Sequence, residues 1–553
     1  MMQSMSYWSL DEEKGYHFSD KKFLSFKKLD EKSRYLAGYF KQLNSNSLPI
    51  VVSLATHEVT VCVYFACLKL DGAFVPSSVP RHRYDRAKLK SIIEDIKPGL
   101  VILENKEVLE DITIEPHTKV LDKHELIDYL HTFHKGVCLE EFETSSLNLV
   151  QFSSGSTHKP KGIKLDKTQL LSNLELIQKS INLTKDDKIC TWLPFHHDMG
   201  LIGGLLLSAR YGVDTHILTP QEFTLRPLKW LETISNNRCT VTAAPNFAYD
   251  LCTNRIEKHP DQKLDLSCLR VAVNGSEFVK PQTLERFSKS FSTHGLLKNA
   301  LKPAYGLAEA ALLVTMTDEE GYDVHKFSRT LLDKGEAGAC SIEDDMDLEL
   351  ISCGKAPKEI ELCIVDRDTF EERPRYHIGE IWVKSPSTAF GYVNPSKNQT
   401  EVFNQTKATG ETGFLRTGDT GFLDQNNNLF ITGRLKDAFT INGRNIMADD
   451  LESVVQEKMF AKHTDASYRC AAVCLHKEGK AHLSIIQEVP HRLAVSHTLL
   501  ELDSLIYRTF HIKPEKIVLV PRGCLPRTTS GKIKRHAAGV LLEHNLLDIY
   551  EIV

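Results

Sequence analysis

The sequence predicts an α/β protein, with a large N-terminal domain of α/β sheets that includes a β-rich subdomain and a small α+β C-terminal domain. Three observations carry this prediction. Short β-branched runs ending in small polar residues alternate with amphipathic stretches up to Gly354. Beyond Gly354, short strands are joined by tight turns, and from Arg434 a new strand-and-helix pattern begins. A chain of 553 residues is also too long for one core. The expected divisions are 1–433, with the β-rich part at about 354–433, and 434–553, meeting at a short polar hinge.

The elements follow in order. "LPIVVSL" from Leu48 reads as a buried strand, "VTVCVYFACLKL" as a helix, and "GAFVPSS" as a strand and turn. "PGLVILE" from Pro98 is a further strand, and "LNLVQF" runs as a strand straight into "SSGSTHKPKG" at Ser153–Gly162. "CTVTAAP" and "CLRVAVNGSE" read as strands with polar carboxyl ends, where ligands gather in open α/β sheets. In the β-rich part, "EIELCIVD", "GEIWVKS" and "GFLRTGDTGFLDQNNNLFITG" are strands, the last turning at "DQNNN".

Bulk properties narrow the function. A net charge of −5 gives no basis for nucleic-acid binding. Thirteen scattered cysteines without a C-x-x-C pair predict free thiols in a reducing compartment. The N-terminus lacks a basic region followed by an apolar run, and no apolar stretch reaches transmembrane length. A soluble cytoplasmic protein without a membrane span is expected.

"SSGSTHKPKG" has the glycine, hydroxyls and lysines of an anion-binding nest. It is not a Walker A loop, because Pro160-Lys161-Gly162 stands where Gly-Lys-Ser/Thr belongs. Composition alone leaves open a phosphate grip or a polar surface turn.

Five segments in order extend the reading: "SSGSTHKPKG", "YGLAEA" from Tyr305, "RTGD" at Arg416–Asp419, "GRLKD" from Gly433 and "PRTTSGKIKR" from Pro526. Together they resemble the adenylate-forming superfamily over nearly the whole chain. "LPFHHDMGLIGGLL", "TAAPNFAYDLC" and the extended connection from Met316 to Leu350 before "LISCGKAP" are most similar to fatty acyl-AMP ligases. The resemblance implies that a fatty acid and ATP give acyl-AMP and pyrophosphate. The acyl group then passes to the phosphopantetheine thiol of a separate acyl carrier protein. An acyl-CoA synthetase using coenzyme A, a silent acyl- or nucleotide-binding regulator and an amino acid activator are the alternatives.

Residue roles follow from the resemblance. Ser153, Ser154, Gly155, Ser156, Thr157 and Lys161 would wrap the ATP phosphates, and Glu309 with Thr157 would hold Mg²⁺. Lys532 would bridge the acyl carboxylate and the α-phosphate, and His197 would sit near that carboxylate. Gly275, Ser276, Glu277, Tyr305 and Gly306 resemble the adenine pocket. Asp419 would accept from the ribose hydroxyls, Arg434 would lie beside it, and Lys436 would be the hinge. Adjacent His196, His197 and Asp198 form a poor chelating set, because neighbours along a strand face opposite ways. The glycines and leucines after them suit an acyl slot or tight helix packing equally. His158 stands where many members have glycine, Met447-Ala448 where a proline is common, and Ser504 is read as structural.

Overall fold

The computed structural model describes residues 7–44, 46–80, 83–110, 112–133, 148–152, 160–338, 347–394, 401–441, 444–463, 468–477, 480–490, 495–527 and 533–552. Among these, the architecture is mixed α/β with two large sheets and four smaller ones. The first large sheet has seven strands, centred on the parallel set Phe74–Pro76, Ile50–Ser53, Leu100–Leu103 and Lys119–Asp122. Its other end is Leu149–Phe152 paired with Gly162–Leu165, and Gly162–Leu165 pairs in turn with Gly391–Tyr392. The central strands Ile50–Ser53 and Leu100–Leu103 are Val/Ile/Leu runs buried on both faces, as helix-covered parallel sheets require.

The second large sheet has eight strands. Lys188–Thr191, Val241–Ala244, Val271–Asn274 and Leu301–Gly306 run parallel, so their carboxyl ends share one edge. Leu313–Met316 returns antiparallel beside Leu301–Gly306. The helix Glu58–Cys67 is apolar all round and wholly core. By contrast, Phe26–Leu43 is capped by Ser25 and buries one face through Phe26, Leu29, Leu36 and Phe40.

Strands Glu361–Val365, Gly379–Lys384, Thr412–Leu423, Gln405–Thr406 and Leu429–Arg434 form an antiparallel sheet. In the connection after Met316, Val324–Ser328 pairs with Asp347–Ile351. Beyond Arg434, the sheet of Cys470–Lys477, Lys480–Val489, Lys516–Pro521 and Glu551–Ile552 packs the helices Ala448–His463 and Val495–Phe510 into a core of its own.

This last part is held together by two arginines. Arg535 reaches Asp437 at 2.7 Å, Glu452 at 2.7 Å and Asp449. Arg527 meets the fully buried Glu488 at 2.7 Å. Toward the larger sheets, Arg329 pairs with Asp450, and Lys280 Nζ donates to Gln456 at 2.9 Å.

Candidate active site

The antiparallel register of Thr412–Leu423 on Leu429–Arg434 sets Asp419 opposite Arg434. Arg434 Nε meets one Asp419 oxygen at 2.8 Å, and Tyr305 OH donates to the other at 2.8 Å. Asp419 and Tyr305 are both buried. The irregular stretch of strand before Asp419 is bolted down by Glu380. Its carboxylate accepts from Arg416 Nε at 2.8 Å, Trp382 Nε1 at 3.1 Å and the Gly418 amide at 3.2 Å. Gly418 takes φ +72°, which glycine adopts without steric cost.

Tyr305 and Gly306 end a parallel strand, next to the carboxyl ends at Ala244 and Asn274. A Cβ on Gly306 would lie 1.9 Å from Leu312 O, so only glycine fits. Gly275 backs onto Ala304 O at 3.1 Å from an added Cβ, and Ser276 is exposed at φ +74°. Glu277 Oε1 accepts from the Phe247 amide at 3.4 Å. The structure therefore brings Tyr305, Gly306, Asp419 and Arg434 together, with Gly275 packed against the same strand.

Glu309 lies on a single helical turn, Ala308–Ala310. Burial pushes its carboxyl above the usual range. Tyr392 OH donates to its Oε1 at 3.1 Å, and the Lys161 ammonium lies 4.8 Å from the centre of the same Tyr392 ring. After Glu309 the chain makes a tight γ-turn: Ala311 has φ +64° and ψ −62°, and Leu312 N donates to Ala310 O at 2.9 Å. Asn173, fully buried, braces this turn: Nδ2 reaches Leu313 O at 3.0 Å and Ala310 O at 3.2 Å, and Oδ1 accepts from Leu313 N at 3.0 Å.

His197 belongs to a second cluster. The strand Lys188–Thr191 has ended before Pro194, and His196 and His197 occupy a turn, not a strand. Their rings approach to 4.5 Å at 44°, which corrects the expectation that they face opposite ways. His197 precedes the short helix Asp198–Gly200, and a π-helical turn follows at Leu201–Leu206. Leu201, Ile202, Leu205 and Leu206 are fully buried in the main core, so these apolar side chains pack the protein. Gln151, two residues before the Ser153 loop, donates from Nε2 to His196 O at 2.5 Å. Burial, with His197 and Lys88 nearby, holds the His196 imidazole well below its usual range. Burial and Lys534 lower the Lys88 ammonium to about 8.

Lys436 stands in the turn Leu435–Asp437. Desolvation and Arg434 lower its pKa, against Asp437, Asp419 and Glu309. Ser153, Ser154, Gly155, Ser156, Thr157, His158 and Lys532 lie outside the described residues. Tyr392, Glu380, Asn173 and Gln151 join the list of residues that the motifs did not single out. Eleven cysteines are free, among the described residues. No described helix is long and apolar enough to cross a membrane.

The site thus sets a carboxylate–tyrosine–arginine contact at the carboxyl end of a parallel strand, with a second carboxylate and a lysine meeting at Tyr392. The AMP-binding enzyme family matches residues 11–393, and the chain belongs to it. It is an AMP-forming ligase. Among its relatives, the medium-chain-fatty-acid–[acyl-carrier-protein] ligase JamA of Moorena producens is 31% identical over 96% of this chain and 91% of its own. The long-chain-fatty-acid–AMP ligase FadD26 of Mycobacterium marinum is 30% identical over 86% and 84%. A solved structure from a study of fatty acyl-adenylate ligases of E. coli and L. pneumophila superposes with a TM-score of 0.83 at 27% identity, covering 98% of this chain and 96% of that one. A fatty acyl-adenylate ligase of L. pneumophila in complex with acyl adenylate and pyrophosphate gives 0.71 at 28% identity, covering 98% and 94%.

Proposed function

We propose that the chain activates a fatty acid with ATP and hands the acyl group to the phosphopantetheine thiol of a separate acyl carrier protein. The observation that carries this is the Tyr305–Asp419–Arg434 contact, which joins the antiparallel sheet to the carboxyl end of the strand that leads to Glu309. It suits a nucleotide whose ribose meets a carboxylate while its phosphates run toward Lys161. In the first step a carboxylate oxygen bonds to the α-phosphorus, the bond to the β-phosphate bridging oxygen breaks, and pyrophosphate leaves. In the second, the thiolate sulfur bonds to the acyl carbon and AMP leaves with its oxygen.

Charge builds on phosphoryl oxygens in the first step, so fixed cations and donors are the main catalytic need. In this reading Lys532 supplies a cation at the α-phosphate, Lys161 and the Ser153–Thr157 segment hold the leaving pyrophosphate, and His197 lies near the acyl carboxylate. Gly275, Ser276 and Glu277 with Tyr305 and Gly306 border the adenine. A carboxylate beside a phosphate grip is a hard-oxygen donor set that fits Mg²⁺, and Glu309 with Thr157 would hold it. The ion's chemistry is to neutralise phosphate charge. Two half-reactions at one site need two placements of the part beyond residue 433, with Lys436 as the hinge. A reducing compartment, the cytoplasm, suits the free thiols.

The test offers laurate, ATP and Mg²⁺, then coenzyme A or holo-carrier protein in separate arms. Acyl transfer to the carrier protein is expected, and rapid acyl-CoA formation would overturn the carrier assignment. Lys532→Ala should cut pyrophosphate release about a thousandfold; unchanged release removes Lys532 from the mechanism.

A further inference from the structure

The segment Ala389–Val393 joins two parts of the site that lie far apart in sequence. At one end, Ala389 N donates to the backbone oxygen of Glu309 at 2.8 Å. At the other, Gly391 and Tyr392 pair antiparallel with Lys164 and Ile163, and Val393 N donates to Gly162 O at 2.7 Å. Gly162 ends the phosphate-loop sequence. A Cβ there would lie 2.9 Å from Phe152 and 3.0 Å from Val393, so the strap is seated tightly on the base of that loop.

Tyr392 uses both ends of its side chain within this strap. Its hydroxyl donates to Glu309 Oε1 at 3.1 Å, and its ring lies under the Lys161 ammonium at 4.8 Å. The side chain is buried, and its ring is fixed from another side by Phe403, edge-on at 5.1 Å. A hydroxyl bond to a carboxylate orients the remaining oxygen lone pairs, and a ring face under an ammonium fixes where that charge stands.

We propose that Tyr392 is a positioning residue that sets the Glu309 carboxylate and the Lys161 ammonium at a fixed spacing, so that a divalent cation and the phosphates it carries are received as one unit. The proposal rests on the reading of Glu309 as the metal carboxylate and Lys161 as a phosphate cation. Both contacts are made by one rigid side chain with two rotatable bonds, so the spacing costs little conformational entropy.

The full-length protein is tested with Mn²⁺ as the probe, its binding followed by electron paramagnetic resonance in the presence of a non-hydrolysable ATP analogue. Tyr392→Phe keeps the ring and its packing on Phe403 but removes the hydroxyl. It should weaken Mn²⁺ binding about tenfold, the effect of losing an orienting partner of a metal ligand. The KM for metal-bound ATP should rise in step with that loss, because the cation and its phosphates are received together. Tyr392→Leu removes both contacts and should add a rise of about threefold in that KM. Mn²⁺ affinity of Tyr392→Phe equal to that of the parent protein overturns the proposal, as does a KM raised equally by Phe and Leu. Glu309→Gln separates the two levels of the reading. If it weakens Mn²⁺ while Tyr392→Phe does not, Tyr392 alone is wrong. If neither weakens Mn²⁺, the metal role of Glu309 falls and the proposal falls with it.

Discussion

Asp419, at an irregular point within the strand Thr412–Leu423, and His197, in the turn after the strand Lys188–Thr191, are held on opposite terms. Around Asp419, Glu380 accepts three hydrogen bonds, and each Asp419 oxygen has a protein partner. Around His197, the buried atoms His196 Nε2 and Gln151 Oε1 have no hydrogen-bond partner among the described residues. A buried polar atom left unbonded costs about 1–3 kcal/mol, whereas a satisfied network rigidifies its surroundings. Folding therefore fixes the Asp419 segment by its own side-chain bonds. The His197 turn is fixed by backbone, through the Gln151 bond to His196 O and the packing of Gly200 on Pro194 O.

The contrast is sharpest at Glu380. Glu380→Gln strips the charge from a carboxylate that is 3% exposed and leaves Arg416 without its partner. Breaking such a pair should cost about 3 kcal/mol of unfolding free energy in urea. A loss near zero would mean that the Asp419 segment stands without its clamp, and the comparison would fail.

His196 gives a pH-dependent version of the same test. Its folded-state pKa lies below the ordinary value of 6.5, because burial disfavours the charged form. Above pH 6.5 both states are neutral and stability is full. As pH falls below that value the unfolded chain takes up the proton first, so stability declines by up to about 1.4 kcal/mol per pH unit. His196→Asn should flatten that part of the profile in urea midpoints; an identical slope in the variant would show that other groups set it.

The smallest effect belongs to Gln151→Leu. It loses the bond to His196 O but also removes an unbonded buried oxygen, so its net cost should stay under about 1 kcal/mol. A cost matching that of Glu380→Gln would erase the distinction between the two segments.

What was legible in the sequence divides along the same line. The strands were readable because β-branched runs bounded by turn residues report their own burial, as at Ile50–Ser53 and Val271–Asn274. Asp419 and Arg434 were found through their motifs, and the register places them in contact. Glu380, Asn173 and Tyr392 were not found. Each is a single polar or aromatic residue whose partner is distant in sequence; Asn173 and Leu313 are 140 residues apart. No local periodicity marks such a residue. The histidine pair was misread because strand alternation was applied to it, whereas the strand ends at Thr191 and Pro194 turns the chain.

The γ-turn at Ala311 bears on how this protein could change. A non-glycine residue held at φ +64° carries about 1–3 kcal/mol of strain, offset here by the Asn173 bracket. Glycine at 311 would relieve the strain, and the same substitution would loosen the two-residue tether between that turn and Glu309. Robustness and carboxylate placement are thus opposed at one backbone position, and a search for sturdier variants would find its first gain where the proposed chemistry has least slack.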